Sequence, residues 1–213
     1  MDIYGVMYSP FTARVVLAAR HKGIKHKLSM PKDGLKSPAY LKLNPLGKAP
    51  VMKDGATVLF ESGVILEYLD AKYKKKRIVP SNVKAMAQAR LLAALFAEYV
   101  QPHIFPLWGQ ADPAKRDQAL VDAKLVEINK GLDIIEGRLK ASPYAAGDKF
   151  TIADCYAVPT LFWLQALLPP VGVADPLGGR KKLSKYVGKV RKDKVIGGVL
   201  TEMAEGLKQL QSR

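Results

Sequence analysis

The sequence predicts an α/β N-terminal domain followed by an all-α, helical C-terminal domain. Two observations establish the first part. Short strand-like runs alternate with amphipathic helical runs over residues 1–73, and Asp54-Gly55 separates two apolar runs as a hairpin turn would. A third observation sets the second part: beyond the charged, Pro-containing "KKKRIVPSN" the pattern is helical, with no convincing strand.

Each element follows from local chemistry. "MDIYGVMY" alternates as a first strand. "SPFTARVVLAARHKG" then reads as a helix, with Ser9 at the N-cap, Pro10 at the first helical position and Gly23 past the end. "IKHKLSM" is a second strand, and residues 30–36 form a loop with Pro31, Asp33 and Gly34. "SPAYLKLNPLGKAP" is a short helical turn broken at Asn44-Pro45. "VMKDGATVLF" is the hairpin, and "ESGVILEYLDAKY" is a helix with Val64, Ile65, Tyr68 and Leu69 on its inner face. The predicted division is therefore residues 1–75, a linker at 76–83, and residues 84–213.

In the second part, residues 84–108 and 113–140 are long helical segments, the first bent or ended by Pro102 and Pro106. "FTIADCYAVPTLFWL" opens on Thr151 with Asp154 three residues later, a capping-box variant, and Phe150 is placed to staple onto Cys155 or a neighbour. This helix is almost wholly apolar and reads as the buried centre of its domain. "LPPVGVADPLGG" is a loop, and two further helices complete the chain.

With 213 residues and 48% hydrophobic content, the chain has ample core and is not disordered. No apolar run approaches the roughly 20 residues of a membrane helix. The N-terminus lacks a basic start followed by an apolar stretch, so no secretory signal is expected and the location is predicted as cytoplasmic. The one cysteine, Cys155, forms no internal disulfide, and no Cys/His cluster has zinc spacing. Net charge is +15, from 34 basic and 19 acidic residues. Residues 1–80 carry +9 of it, so the excess is not confined to a tail. It favours anionic partners. Nucleic acid or an acidic membrane is conceivable for "KYKKKR" and "RKKLSKYVGKVRKDK", but neither run interleaves aromatics, and a solvated basic face is the expectation.

Four stretches in order narrow the family: "SPFTARV" at the first strand–helix turn, "NPLGKAPVM" before the hairpin, "FES" after it, and "FTIADC" opening the central helix. The chain resembles the cytosolic glutathione transferases over nearly its whole length. It looks nearest the serine-type phi, tau and theta classes and their bacterial relatives, which points to a bacterial source. The resemblance implies a thioredoxin-like glutathione-binding domain, a helical second domain and a homodimer. It also implies a detoxification role: the glutathione thiolate is conjugated to small hydrophobic electrophiles, with glutathione as co-substrate and no metal.

The resemblance also assigns residues. Ser9 would stabilise the thiolate by donating from its hydroxyl, with the positive helix end behind it; Thr12 and Tyr8 are the alternatives. Pro50 would be cis, exposing the backbone of Val51 to the cysteinyl unit of glutathione. Ser62 and the start of its helix would take the γ-glutamyl carboxylate, and Glu61 the γ-glutamyl ammonium. Lys48 stands where the phi pattern often has Gln, and Lys36 matches a lysine of the loop before Asn-Pro; both are candidates for the glycyl carboxylate. Phe11, Tyr99, His103, Phe105 and Trp108 would wall the electrophile, with Tyr99 and His103 on one helix face by i, i+4 spacing. A plain cap at 9, an ordinary turn proline at 50, solvated lysines at 36 and 48 and core aromatics are the readings these residues leave open when taken singly.

Cys155 reads as an inert core thiol, and the Ser-Ser-Cys run of the zeta class is missing, so disulfide-reductase and isomerase chemistry are not expected. The competing function is a non-catalytic ligand-binding or regulatory interaction protein of the same fold.

Overall fold

The first helix begins where Ser9 and Pro10 place it. In the computed structural model, which describes residues 1–212, the first strand β1 is Asp2–Tyr4 and the first helix α1 is Pro10–His21. The sequence predicts a strand reaching Tyr8, but it stops at Gly5. There the chain crosses Thr12 so closely that a Cβ on Gly5 would lie 2.4 Å from Thr12 Oγ1, and only a residue without a side chain fits.

The strand β2, Lys27–Ser29, pairs parallel to β1 across the α1 crossover. A one-turn helix, α2, spans Pro38–Leu41 and is capped by Ser37. Strands β3, Val51–Asp54, and β4, Thr57–Phe60, form the hairpin, and the sheet order is β2-β1-β3-β4. The hairpin turn falls one residue later than predicted, at Gly55-Ala56. Asp54 pairs with Thr57 as the last rung, and Gly55 takes the left-handed φ of 63°.

Helix α3 is Ser62–Lys72. Ile65, Leu66 and Leu69 are buried, whereas Val64, expected inside, is 52% exposed. The buried stripe is turned because it runs through polar Ser62 and Asp70, which hydropathy does not mark as inner positions.

Residues 80–193 form a second compact unit. Its helices are α4, Val83–Tyr99; α5, Gln101–Ile104; α6, Gln118–Arg138; α7, Ile152–Leu167; and α8, Lys181–Val190. The helical segment over 84–108 breaks at Val100, whose φ of −121° is not helical, two residues before the Pro102 expected to bend or end it, and Pro102 lies in the first turn of the next short helix. Tyr99 and His103 therefore do not share an uninterrupted i, i+4 register. Helix α6 begins at Gln118, capped by Asp117, later than the Pro113 of the sequence reading. Arg116 holds the preceding turn by donating to the carbonyls of Gln110 and Pro170 at 2.8 and 2.9 Å. Helix α7 has the expected Thr151/Asp154 capping box and is buried along most of its length.

The last helix, α9, Lys194–Gln211, groups with residues 1–79 as one compact unit. It packs on α1, where Arg20 makes a two-pronged ion pair with Glu202 at 2.6 and 2.8 Å. Between the sheet and these helices Val15, Val16 and Leu17 have no exposed surface. Each contributes about 1.5–3 kcal/mol on burial.

Candidate active site

One rung of the sheet gathers the candidate residues of the first unit. Tyr4 pairs with Ser29 on one side and Val51 on the other, and Val51 pairs with Phe60. The chain leaves Tyr4 for Ser9, reaches Val51 from Pro50, and leaves Phe60 for Glu61 and Ser62. Ser29 leads into the loop that carries Lys36 and Lys48. The register thus brings four separated stretches to one end of the sheet.

Ser9 is the α1 N-cap, half-buried, with no acid in the first turn of the helix. Its Oγ accepts from the Thr12 N–H at 3.4 Å, a long bond, and its own O–H is left to donate. Thr12 has no exposed surface, and its Oγ1 is buried without a hydrogen-bond partner. Tyr8 lies against α9: a Cβ on Gly206 would come 3.3 Å from its ring.

The Ala49-Pro50 peptide is cis, and Val51 opens β3 with its side chain buried. The Lys48 carbonyl just before this bond accepts from Tyr40 Oη at 2.8 Å and Asn44 Nδ2 at 2.7 Å. Burial pushes the Tyr40 phenol up to about 12, so it stays protonated as a donor. The Lys48 side chain is exposed, and Lys36 Nζ donates to the Leu46 carbonyl at 3.2 Å across Gly47.

Glu61 caps α3 with a left-handed backbone, φ 69° and ψ 111°. A non-glycine residue held there stores strain, a feature that clusters at ligand sites. It turns the chain so that α3 starts at Ser62, whose first N–H groups have no partner within the helix. Ser62 is buried, and its Oγ accepts from Arg14 Nη1 at 3.4 Å. Arg14 is itself only 4% exposed and lies 4.9 Å from the Phe11 ring centroid. The chemistry offered is an anion site: a hydroxyl at one helix start, N–H groups and a hydroxyl at another, and a guanidinium behind them.

In the second unit Phe105 and Trp108 pack on Trp163, with ring centroids 5.5 and 5.3 Å apart. Phe162 meets Trp163 edge-on at 5.9 Å. Tyr99 is 49% exposed. His103 is half-buried, with Nδ1 inward and without a hydrogen-bond partner. Among the described residues no group of three or more His, Cys, Asp or Glu side chains is placed to hold a metal.

Two family models divide the chain between them. "Glutathione S-transferase, N-terminal domain" matches residues 3–77, and "Glutathione S-transferase, C-terminal domain" matches residues 87–192. The chain belongs to the glutathione S-transferase family. A curated relative, glutathione S-transferase 3 of Zea mays, is 32% identical over 187 residues, covering 83% of this chain and 80% of the relative. The solved structure of glutathione transferase F7 from Populus trichocarpa superimposes with a TM-score of 0.80 at 25% identity, covering 95% of this chain and 98% of that one. A glutathione S-transferase I bound with lactoylglutathione matches with a TM-score of 0.79 at 25% identity, over 94% and 98% of the two chains. The Zea mays relative and glutathione S-transferase F13 of Arabidopsis thaliana, 31% identical over 179 residues, are plant proteins, and the expectation of a bacterial source finds no support in them.

Four contributors escaped the sequence reading of this transferase. Arg14 sits in an apolar helical run, and an arginine in such a run is the signal that could have marked it as a buried donor. Tyr40 and Asn44 hold the turn before Pro50 through one carbonyl, which only the folded loop reveals. Trp163 was absorbed into the apolar helix as core, yet it is the hub of the aromatic cluster.

Proposed function

We propose that this transferase joins the thiolate of glutathione to small hydrophobic electrophiles, with Ser9 as the stabilising donor. The supporting observation is the convergence of Ser9, Pro50-Val51 and Glu61-Ser62 at one rung of the sheet. A free thiol has a pKa of about 8.5, so only a few per cent is ionised at pH 7. A hydroxyl donor at a positive helix end favours the charged form. The thiol proton passes to solvent, the sulfur forms a C–S bond, and a leaving group such as halide departs with its electron pair.

The backbone of Val51 pairs with the cysteinyl unit. Ser62 and the α3 N–H groups take the γ-glutamyl carboxylate, Glu61 the ammonium, and Lys36 and Lys48 the glycyl carboxylate. Phe11, Tyr99, His103, Phe105 and Trp108 supply surface for the electrophile. Ser9 is preferred to Thr12 because the Thr12 hydroxyl is wholly buried against Gly5. In this reading residues 1–75 carry the glutathione site, 76–83 are the linker, and 84–213 supply the helices, with α9 returning to α1. The working form is a cytoplasmic homodimer.

Ser9→Ala should lower kcat with a model aryl halide about 10²–10³-fold, the usual cost of one oxyanion-type donor. It should also raise the thiol pKa of bound glutathione in a titration followed by thiolate absorbance, while the protein still binds immobilised glutathione. Unchanged turnover and thiol pKa would remove Ser9 from the chemistry. Asn44→Ala leaves the Lys48 carbonyl to Tyr40 alone and frees the Leu46 N–H. The KM for glutathione should rise about tenfold, with a smaller change in kcat, since the loop misplaces a binding group and not the thiolate donor.

A further inference from the structure

The charge of the second unit is not spread over it. Residues 80–180 carry ten basic and ten acidic side chains, which cancel. The next twelve residues, 181–192, carry six bases and no acid. All six bases are exposed. A charge that only served solubility would have no reason to concentrate in this way.

The helix orders these charges. Leu183, Tyr186 and Val190 of α8 are buried in their own unit. Lys182, Lys185, Lys189 and Lys192 follow at spacings of three, four and three, which places them along one outer face. Arg191 keeps helical dihedrals of −60° and −25°, so Lys192 continues the line past the end of α8. The stripe is about 15 Å long at 1.5 Å per residue. Gly188, exposed, flanks this line without a side chain, so a broad surface can approach the helix closely.

We propose that this stripe is a docking surface for the anionic headgroups of an acidic lipid bilayer. Charge complementarity selects a polyanion, and two details select a bilayer over a nucleic acid. The N-terminal end of α8 is closed by carboxylates: Glu136 accepts from the N–H groups of Lys182 and Leu183 at 2.8 and 2.9 Å, and Asp133 pairs with Arg180 at 2.7 Å. A DNA-reading helix enters a groove by its N-terminal residues, and here a phosphate would meet those acids. The stripe carries no amide or aromatic side chain to read or stack on bases. Contact is therefore sideways, face to plane, through lysine point charges. The apolar residues of α8 are already used by the core, so nothing inserts below the headgroups and binding is peripheral and reversed by salt.

The test is co-sedimentation of the full chain with vesicles at low ionic strength. Vesicles of phosphatidylcholine carrying about a third phosphatidylserine should retain the protein, and pure phosphatidylcholine should not. Changing Lys182, Lys185, Lys189 and Lys192 together to Gln should weaken binding by two to three orders of magnitude, about fivefold per lysine. Removing the same charge elsewhere in the unit, with Lys84, Lys115, Lys124 and Lys130 changed to Gln, should change binding by less than about threefold. Equal urea midpoints for both variants and the parent establish that each is folded. The proposal fails if acidic vesicles do not retain the parent protein or if both variants lose binding equally. It also fails if duplex DNA at matched phosphate concentration binds through the stripe while vesicles do not.

Discussion

Asp70→Ala should cost about 3–5 kcal/mol in urea unfolding at pH 7, because it strands a buried ammonium. Lys22 and Asp70 form an ion pair at 2.9 Å, with side chains 0% and 1% exposed. Lys22 Nζ also donates to the carbonyls of Lys75 and Lys76, and Asp70 also accepts from Arg77 and the Ile78 N–H. Burial alone would raise the Asp70 carboxyl, but the bonds from Lys22, Ile78 and Arg77 outweigh it and hold the group below the ordinary carboxylate range. A lowered pKa means stability that is present above the unfolded value and lost as pH falls through the folded one. The parent should therefore lose this contribution on acidification below about pH 4, and Asp70→Ala should not. The double change Lys22→Met with Asp70→Leu should recover part of the loss, since it removes the stranded charge. It should not recover all, since the Ile78 N–H and two carbonyls still lose their partners. A single variant as stable as the parent would show that the cluster contributes nothing.

The cluster bears on the candidate site through two helices. Lys22 follows the end of α1, and Asp70 lies in the last turn of α3. The opposite ends carry Ser9 and Ser62, and Arg14 ties that end across to Ser62. Two polar pins, one at each end, fix how the two helix starts present their N–H groups. Loosening the far pin should raise the KM for glutathione before unfolding is complete.

The sequence exposes this arrangement only in part. Apolar periodicity, the Ser9-Pro10 cap and the Gly55 turn are local, so the strand and helix order is readable from residues within one turn of each other. The inner face of α3 was misjudged because Asp70 and Ser62 are buried by partners 48 positions away, and hydropathy counts both as outer. Among 34 basic residues, nothing in the sequence separates the buried Lys22 from solvated neighbours, and Arg14 is marked only by the apolar run in which it sits. The break near Pro102 was legible, but its effect on the pair Tyr99 and His103 was not. Tyr99 and His103 have good helical spacing, but Gly131 of α6 presses on the Tyr99 carbonyl, where a Cβ would lie at 2.5 Å, and tertiary packing overrides the local pattern. The basic run at 181–192 was legible as charge, but the neutral balance of the rest of its unit acquires meaning only once the unit is known.

Asp154→Ala should be the other severe change, about 3–5 kcal/mol at pH 7, for a different reason. Asp154 has no exposed surface. Oδ1 accepts from the Ala145 N–H at 2.8 Å and Tyr186 Oη at 2.9 Å, and Oδ2 from the Thr151 N–H at 2.8 Å. The Thr151 hydroxyl also donates to Oδ2, at 3.3 Å, so alanine leaves four buried donors without this acceptor. Asn keeps one oxygen for Ala145 and Tyr186 and orphans only the Thr151 N–H, so Asp154→Asn should cost less, about 1–2 kcal/mol at pH 7. Burial raises the carboxyl to about 6, against the opposing pull of the bonds from Ala145, Thr151 and Tyr186. A raised acid is penalised where it is ionised. As pH falls from 7 towards 4 the native state takes up a proton that the unfolded chain does not yet hold, and the contribution of Asp154 grows, by about 2 kcal/mol across that range. Asn cannot follow, so the gap between parent and Asp154→Asn should widen at acid pH, opposite to the trend set by Asp70. Urea unfolding of both proteins at pH 7 and near 4.5 measures it. A gap that narrows on acidification would mean that Asp154 is a stabilising carboxylate, held ionised by its four donors in spite of its burial.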